Sequence, residues 1–492
     1  MNKFAHTGKR TTRAILVALF SVGFLAHHGI AASQNTDPIE VLMITGGGPF
    51  HDYYTQKRQL EKGLTDRIGN IVFTIDHNEG QSKEDMHFKH ETLLTDEWAS
   101  QFDLVLYNNC NLDMGDAEHV EQIMAAHAEH QVPAVLLHCP MHLHRTTTTV
   151  WYEFTGAVSY QHEVVRVPFT IEVLEPNHPI MVNFPGTWRT PEGELYMPIE
   201  LKDNATPLAR AYSVEAAEFF PIAWTHEYEG VRVFASTLGH HTPTMGADVN
   251  LNMVAAGLLW AAGKLDDDGQ PSEGYSGERG LGWVSLRDGA TLNGWRDTET
   301  TNFAEIAWFD GGATWPTKMN MGTAAFQLVP HEVDPNDIVV EGPPSSLFYA
   351  GPIDGGDFRN FEFKVDVYTY PGSASGVYFH TRYKEEGPPT YGYEAQINAS
   401  RSGESKTGSL VGASEVETAP HGDNEWFNYH IRVDGRNVTV KVNDETVNEF
   451  TEPADADGPA TLHRGTIGLE SVGGDSRVYF RNPMIRLLPE NN

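Results

Sequence analysis

The stretch that decides the fold of the N-terminal half is Leu136-Leu137-His138-Cys139-Pro140-Met141-His142-Leu143-His144. An apolar run that begins at Pro133 ends there in three imidazoles and a thiol. A buried strand that stops at a polar cluster places that cluster at the carboxyl edge of a sheet, where open α/β folds hold their ligands. Histidines in such a loop can simply hydrogen-bond the loop to itself. Three of them so close together favour a metal or acid–base site.

Strand-like and helix-like patterns alternate around this stretch. We predict buried strands at residues 39–45, 71–75, 104–107 and 133–137, and amphipathic helices at residues 56–68 and 117–129. Strands at residues 166–174 and 231–236 and a closing helix at residues 251–260 extend the same unit. The alternation predicts a doubly wound, mostly parallel α/β sheet.

Length and charge restrict the class of protein. A chain of 492 residues is too long for one ordinary hydrophobic core, so we expect at least two domains. Acidic residues outnumber basic ones 67 to 34, which gives a formal charge of −33. A surface this negative repels nucleic acid and anionic membranes, and we expect neither as a partner. The sequence leaves the oligomeric state open.

The first residues have the pattern of a secretory signal peptide. Lys3, Lys9, Arg10 and Arg13 precede an apolar run at residues 14–26, and small residues end at Ala32. We therefore expect residues 1–32 to be removed and the protein to be periplasmic or extracellular, with an uncleaved anchor as the alternative. No later segment approaches about 18 uninterrupted apolar residues, so we expect no integral membrane span.

The chain has two cysteines, Cys110 and Cys139, and each follows a predicted strand. They could lie near one another, and an exported protein permits one disulfide. Because a chain of this size needs no such link, we expect two free, partly buried thiols.

The glycine run Gly46-Gly47-Gly48 follows the first predicted strand and leads to His51. A glycine-rich turn in this place can cradle a phosphate, but the spacing is not that of the dinucleotide fingerprint and no P-loop lysine follows. We expect no nucleotide cofactor. The glycines instead indicate a tight turn that brings His51 to the site.

Several motifs of the N-terminal half match a known family. They are His51-Asp52, His138-Cys139-Pro140-Met141-His142, Trp151-Tyr152-Glu153-Phe154-Thr155-Gly156, Glu194-Leu195-Tyr196, Pro221-Ile222-Ala223-Trp224-Thr225 and Thr237-Leu238-Gly239-His240-His241. On these, residues 38–265 resemble the ThuA-like (trehalose-utilisation) family, a relative of the flavodoxin and class I glutamine amidotransferase-like folds. The resemblance implies sugar processing with a divalent metal, zinc or a similar ion.

The same resemblance implies roles for individual residues. The metal ligands would be His51, His138, His142 and His240, with Glu194 as a ligand or base and His142 also catalytic. Tyr196 and Trp224 would bind substrate. In the amidotransferase fold a nucleophilic cysteine follows a central strand, and Cys139 lies at about that place. However, Pro140 stands where such a turn normally uses glycine, so a cysteine-dependent amidohydrolase is the minor alternative.

The pattern changes after an acidic segment rich in glycine, proline and serine. Residues 266–280 show no apolar periodicity, which is typical of a linker. Beyond them, apolar and polar residues alternate at residues 361–367 and 438–442, and short strands follow one another without a convincing helix. The C-terminal half is therefore predicted to be all-β, an antiparallel sandwich or jelly roll.

The motifs of this half match a second family. They include Val284-Ser285-Leu286-Arg287-Asp288-Gly289, Ser375-Gly376-Val377-Tyr378-Phe379, Gly392-Tyr393-Glu394-Ala395-Gln396-Ile397-Asn398 and Val478-Tyr479-Phe480-Arg481-Asn482. On these, residues 281–488 resemble the 3-keto-disaccharide hydrolase family, a concanavalin-like β-jelly roll. Two departures are Glu470 and Val472, where the family tends to have Gln and His.

Strand alternation places Glu394, Gln396 and Asn398 on one face. This face fits a concave, sugar-binding surface, although a solvated outer face gives the same pattern. We predict Glu394 and Gln396 as catalytic residues, and Tyr378, Asn398 and Trp426 as substrate-binding ones. The predicted function is cleavage of an oxidised (3-keto) sugar or glycoside, by hydrolysis or by elimination and hydration. The alternative is a carbohydrate-binding protein whose jelly roll is a lectin-like module.

Overall fold

The computed structural model describes residues 37–144, 148–197, 199–287, 291–297, 326–328, 337–341, 344–385, 387–403 and 405–489. The predicted signal peptide lies outside the described residues. Within the described ranges, no helix has both the length and the apolar character needed to cross a membrane.

A nine-stranded sheet organises the N-terminal part. Its spatial order is β2 (Ile71–Asn78), β1 (Ile39–Gly46), β3 (Leu104–Asn109), β4 (Ala134–Leu137), β11 (Val231–Ser236), β10 (Glu218–Tyr228), β9 (Thr206–Ser213), β6 (Thr170–Val173) and β7 (Thr187–Arg189). Neighbours from β2 to β11 pair parallel. Neighbours from β11 to β7 pair antiparallel. A small sheet joins β5 (Ala157–Ser159) to β8 (Ile199–Leu201).

This mixed sheet corrects the expectation of a mostly parallel one. The β9–β10 hairpin was not predicted, and the strand expected at residues 166–174 is the shorter β6 in the antiparallel half. The hairpin carries register shifts between Pro221 and Trp224. A bulge of this kind breaks the strict two-residue period on which strand prediction relies.

Helices cover both faces of the sheet. The helices α1 (Tyr53–Ile68), α4 (Thr242–Met245) and α5 (Asp248–Ala261) lie on one face, and α2 (Ala117–His130) and α3 (Val150–Thr155) lie on the other. Asp52 and Asp116 cap α1 and α2 by accepting from the backbone N–H three residues on. Because the strands from β2 to β11 are parallel, the loops that follow them meet at one edge of the sheet.

Two antiparallel sheets form the C-terminal part. The larger contains β14 (Phe326–Leu328), β15 (Ile338–Glu341), β24 (Arg477–Leu487), β17 (Phe361–Thr369), β20 (Trp426–Asp434), β21 (Asn437–Val442) and β22 (Glu445–Thr451), with β12 (Val284–Ser285) beside β24. The smaller has the order β13 (Trp295–Asp297), β16 (Ser345–Tyr349), β23 (Thr466–Ser471), β18 (Ala374–Thr381) and β19 (Tyr393–Asn398). This part is all-β, as predicted.

Side-chain alternation separates the core of these sheets from their outer faces. Phe363 and Val365 of β17 and Ala395 and Ile397 of β19 are completely buried in one shared core. Glu394, between the core residues of β19, is only partly buried. The outer face of the five-stranded sheet, opposite the core, is therefore the surface that carries Glu394.

The segment between the two parts is ordered against α1 and α5. The backbone N–H of Gly277 donates to the carbonyl of Arg67 at 2.9 Å. The carboxylate of Asp248 accepts from Nη2 of Arg67 and from the backbone N–H of Ser285, both at 2.9 Å, and it also pairs with Arg279. One hydrophobic cluster includes residues of both parts, and from Pro38 onward the described residues form one compact unit.

Candidate functional sites

Four side chains meet at the edge where the parallel strands end. His51 follows β1, His138 follows β4, His240 follows β11, and Glu194 lies on the segment after β7. One candidate ligand atom from each lies within 4.8 Å of the others. We call these four residues the histidine–glutamate cluster. All but His51 are buried, so the cluster forms the floor of the site rather than its rim.

The backbone at these positions explains how the side chains converge. His138 has φ 63° and ψ −104°, a conformation that a non-glycine residue adopts only when its surroundings impose it. In the turns that lead to His51 and His240, glycine adopts the positive φ angles, 113° at Gly46 and 119° at Gly239. A side chain at Gly239 would also clash with Met245. These turns direct His51, His138 and His240 towards one point.

Hydrogen bonds fix the orientation of two imidazoles. Nδ1 of His138 donates to the carbonyl of Thr237 at 2.7 Å, which leaves Nε2 facing the cluster. Nδ1 of His51 lies 2.8 Å from the hydroxyl of Tyr53. In the tautomer in which this nitrogen donates, Nε2 presents its lone pair. Partners on the far side of the ring are typical of histidines that bind metals.

The charge state of the cluster follows from its contacts. Oε2 of Glu194 lies 3.2 Å from Nε2 of His138 and 3.1 Å from Nδ1 of His240. Burial opposes ionisation of Glu194, but the contacts of the carboxyl with His138 and His240 outweigh burial and hold its pKa well below the usual range. Burial lowers the pKa of His51 and His240, and neighbouring histidines add to the effect. The site therefore combines an ionised carboxylate with the neutral imidazoles of His51 and His240.

This donor set fits a divalent cation. Neutral imidazole nitrogens and an ionised carboxylate oxygen are the ligands of zinc and related ions. Nδ1 of His240 is buried and makes no hydrogen bond of acceptable geometry with the residues that the structure describes, although Glu194 lies 3.1 Å away. An imidazole nitrogen without such a bond can direct its lone pair to a metal ion.

His142 departs from its predicted place as a metal ligand. The short 3-10 turn Cys139–His142 rotates its ring away from the cluster. Nε2 of His142 bonds Oγ of Ser159 at 3.0 Å, and the ring stacks on Tyr196 with centroids 3.8 Å apart. Glu194 takes the fourth position in the group instead. Tyr196, predicted to bind substrate, is 1% exposed, and its hydroxyl lies 3.1 Å from Nε2 of His138.

Trp224 is also not where the sequence predicted it. Its side chain is completely buried, and its indole N–H donates to the carbonyl of Thr155 at 2.8 Å. It packs in the hydrophobic cluster between the sheet and α2 and α3. Trp224 is therefore a core residue without access to a substrate.

Cys110 and Cys139 form a disulfide, which corrects the expectation of free thiols. Their Cα atoms are 5.3 Å apart because β3 and β4 are neighbours and both cysteines follow their strand ends. The sulfurs lie within 4.8 Å of a ring nitrogen of His51. The disulfide joins two loops of the site and removes Cys139 as a nucleophile in this state.

Two residues of this site were not assigned a role from the sequence. Nε of Arg166 lies 2.7 Å from Oε1 of Glu194, and Nδ1 of His162 lies 3.5 Å from the same oxygen. Both stand on the segment before β6, and the side chain of Arg166 is 44% exposed. No local pattern distinguished this arginine from the other surface cations.

The outer face of the five-stranded sheet holds a second group of predicted residues. Tyr378 of β18 lies opposite Glu394 of β19 in the strand register. The hydroxyl of Tyr378 lies 2.8 Å from Oε1 of Glu470 and also contacts the carboxyl group of Glu394. Gln396 lies on the same strand as Glu394 and is 6% exposed. The sequence distinguished Glu470 only as a departure from the pattern of the 3-keto-disaccharide hydrolase family.

Two further residues predicted to bind substrate make other contacts in the structure. Asn398 is completely buried, and its amide bonds the backbone of Arg401 and Ser405 at 2.9–3.1 Å. It holds the loop that follows β19. Trp426 belongs to the other sheet, where its ring packs on Tyr368 and under the guanidinium of Arg481. Trp426 therefore does not share a face with Tyr378.

Comparisons with known proteins agree with the division of the chain into two parts. Residues 40–261 match the family model described as trehalose utilisation (ThuA). Residues 282–486 match the model of the 3-keto-alpha-glucoside-1,2-lyase-like domain. No curated protein matches the chain.

Three solved structures illustrate the range of similar folds. A candidate ThuA-like protein from Parabacteroides merdae is 17% identical over 49% of this chain and 97% of its own, with a TM-score of 0.38. A candidate glycosyl hydrolase from Parabacteroides distasonis is 19% identical over 42% of this chain and 94% of its own, with a TM-score of 0.31. Carbohydrate binding module CBM66 from Bacillus subtilis is 14% identical over 30% and 86%, with a TM-score of 0.23.

Proposed function

Because the chain joins a ThuA domain to a 3-keto-alpha-glucoside-1,2-lyase-like domain, we propose that it is an exported carbohydrate-active enzyme that cleaves 3-keto-glycosides. One observation carries the proposal of an enzyme rather than a binding module. Three histidines and a glutamate from four separate segments converge within 4.8 Å at one sheet edge. A grouping of this kind has the donors and acceptors for proton transfer and metal binding.

The substrate chemistry defines what the residues must do. A ketone at C3 acidifies the proton at C2, because the resulting carbanion is delocalised into the carbonyl. The group on C1 can then leave by elimination, and water can add to the enone that results. A base near C2 and a donor near the leaving oxygen are required, and each such group typically contributes about 10² to 10⁴-fold in rate.

We assign the base in the C-terminal domain to Glu394. Its carboxylate lies on the outer face of the five-stranded sheet, beside the hydroxyl of Tyr378. Tyr378 and Gln396 would bind hydroxyl groups of the sugar from the same face.

In the N-terminal domain, His51, His138, His240 and Glu194 would hold a divalent ion, zinc or a similar metal. When bound, such an ion supplies a Lewis acid for a sugar carbonyl. The half-exposed guanidinium of Arg166 lies beside Glu194 and can donate to a substrate oxygen. Three of the four residues of the cluster are buried, which limits the access of water to the reacting atoms.

For the fold, we assign the N-terminal part to the doubly wound flavodoxin/class I glutamine amidotransferase-like class and the C-terminal part to the concanavalin-like jelly rolls. The parallel order β2-β1-β3-β4-β11 supports the first assignment. The two antiparallel sheets around one core support the second. Removal of residues 1–32 on export belongs to the same proposal, and N-terminal sequencing of the exported protein would test it.

The test uses the full chain, because both parts share a hydrophobic cluster. The chain would be incubated with 4-nitrophenyl 3-keto-glucoside, with and without a chelator. We expect release of nitrophenol, with losses in Glu394→Gln or Glu194→Gln that show which domain acts. Glu449→Gln, on the exposed side of β22, and Glu192→Gln are the matched controls. Binding of the keto sugar without release by the wild-type chain would overturn the proposal and support the lectin-like alternative.

A further inference from the structure

A second carboxylate lies next to Glu394 on the outer face of the five-stranded sheet. The register pairs Tyr378 with Glu394 on one side and with Gly468 on the other. Glu470 lies two residues after Gly468 on β23, so its side chain is on the same face of the sheet as that of Tyr378. The carboxyl groups of Glu394 and Glu470 therefore approach the hydroxyl of Tyr378 from β19 and β23, the strands on either side of β18.

Glycine makes room for this arrangement. A Cβ atom at Gly376 would lie 2.5 Å from Oε1 of Glu394, so the side chain of Glu394 leans across the space above Gly376. The hydroxyl of Tyr378 lies 2.8 Å from Oε1 of Glu470 and also contacts the carboxyl group of Glu394. A larger side chain at Gly376 would displace Glu394 from the shared hydroxyl.

The hydroxyl of Tyr378 and the two carboxyl groups differ in the protonation state that they favour. Tyr378 is 7% exposed, and burial, with the two carboxylates adding to it, raises the pKa of its hydroxyl well above the usual value. Tyr378 therefore stays protonated, and its hydroxyl can donate to an ionised carboxylate while it accepts from a protonated one. Two neighbouring carboxylates repel each other when both are ionised, so such a pair favours one protonated and one ionised member.

We propose that Glu470 is a second catalytic residue of the C-terminal domain, the general acid that complements Glu394 as base. This inference rests on the proposed cleavage of 3-keto-glycosides. Glu470 is partly exposed on the same face as Glu394, so a substrate can contact both. Tyr378 positions the two carboxylates.

The proton transfers balance over one turnover. Ionised Glu394 takes the C2 proton, the C1–C2 double bond forms, and the bond from C1 to the leaving oxygen breaks. Protonated Glu470 gives its proton to that oxygen, which leaves as an alcohol. Water then adds to C1 while Glu470 takes one of its protons, and Glu394 returns a proton to C2. Both carboxyl groups regain their starting states without a further reactant.

The experiment compares Glu470→Gln with Glu449→Gln in the full chain, on 3-keto-glucosides with a nitrophenyl or an alkyl aglycone. An alkoxide is a poor leaving group and needs the acid, whereas nitrophenolate leaves without one. We expect Glu470→Gln to slow release of the alkyl aglycone by about 10² to 10⁴-fold, and release of nitrophenol much less. Exchange of the C2 proton with D₂O, followed by NMR, should persist in Glu470→Gln and be lost in Glu394→Gln.

The results separate this inference from the function on which it rests. If the wild-type chain releases neither aglycone, the proposed function fails and the role of Glu470 fails with it. If the wild type is active and Glu470→Gln behaves like Glu449→Gln, only the role of Glu470 is overturned. Equal slowing for both aglycones, with loss of C2 exchange, would make Glu470 a positioning residue and would also overturn the proposal.

Discussion

Nε2 of His138 lies 3.2 Å from Oε2 of Glu194, although the two residues come from opposite halves of the N-terminal sheet. The carboxylate also reaches His240 at 3.1 Å, so Glu194 connects the loop after β4 to the loop after β11. The sequence proposed four histidines as ligands with Glu194 as a ligand or base, and the structure groups Glu194 with three of them.

Replacing Glu194 should therefore weaken metal binding. We expect the wild-type chain to bind zinc and Glu194→Gln to bind it at least about tenfold more weakly, since an amide supplies no negative charge. Isothermal titration of each full-length variant with zinc gives the affinities. Glu192→Gln is the control, because Glu192 pairs with His241 outside the cluster. Equal zinc affinities for the two variants would contradict the assignment of Glu194 as a ligand.

The disulfide should contribute to stability through the loop it closes. Cys110 and Cys139 are 29 positions apart. Cross-linking a loop of this length restricts the unfolded chain and is worth about 3–4 kcal/mol. We expect Cys110→Ser/Cys139→Ser to unfold at a correspondingly lower denaturant concentration. Reduction of the wild type should lower its midpoint to that of the double variant, and an unchanged midpoint would count against this role.

Acid should destabilise the protein through its buried histidines, of which His127 is the clearest case. His127 is completely buried, with Nδ1 donating to the carbonyl of Val132 at 2.6 Å and Nε2 2.9 Å from the hydroxyl of Tyr107. Burial lowers its pKa to about 4, although the bond to Val132 opposes the shift. In the unfolded chain the same ring has a pKa of about 6.5.

Between these two pKa values the unfolded state takes up a proton that the folded state does not. Stability is therefore fully present above about pH 6.5 and falls by up to about 1.4 kcal/mol per pH unit for each such histidine, down to about pH 4. Urea unfolding at pH 7, 6, 5 and 4 measures this slope. We expect His127→Gln to flatten it, whereas His130→Gln, at an exposed position at the end of α2, should not.

Asp248 should stabilise the junction between the two parts. The guanidinium of Arg67 is 1% exposed and pairs with Asp248. Burial lowers the pKa of Arg67 to about 10, and the carboxylate of Asp248 opposes this shift. Asp248→Ala would leave a buried charge without its partner, which costs about 3–5 kcal/mol.

Urea unfolding and limited proteolysis of the 266–284 segment would measure the effect of Asp248→Ala. We expect a lower midpoint and faster cleavage, because the backbone of Ser285 loses its acceptor as well. Asp66→Asn is the control, since Asp66 pairs with the exposed Lys62, and surface pairs contribute about 0–1 kcal/mol. Similar losses of stability in both variants would show that the pair of Arg67 and Asp248 contributes no more than a surface ion pair.

Trp224 should matter for stability and not for substrate binding. Trp224→Phe removes the donor to the carbonyl of Thr155, which should cost on the order of 1–3 kcal/mol. Thermal unfolding would report the loss, and KM for the keto-glucoside should stay at the wild-type value. A large rise in KM without a change in stability would return Trp224 to the substrate site.

Local patterns in the sequence were sufficient to predict much of the framework. The apolar runs that became β1, β3, β4 and β11 and the periodicity of α1 and α2 report which face of an element is buried. Because parallel strands end at a common edge, the loops carrying His51, His138 and His240 could be predicted to converge. The switch to a two-residue period likewise indicated the all-β character of the C-terminal half.

Only the tertiary structure decided which of these side chains meet. His138 and His142 follow the same strand, and nothing local separates them. The turn between them rotates one ring into the cluster and the other onto Tyr196. Periodicity reports a face but not the depth of burial, so Trp224 and Asn398 looked accessible and are not. The predicted strands allowed Cys110 and Cys139 to lie near one another, but only the structure shows that they form a disulfide. The pairing of Tyr378 with Glu470 depends on strand neighbours that are distant in the chain, and such contacts leave no trace in local spacing.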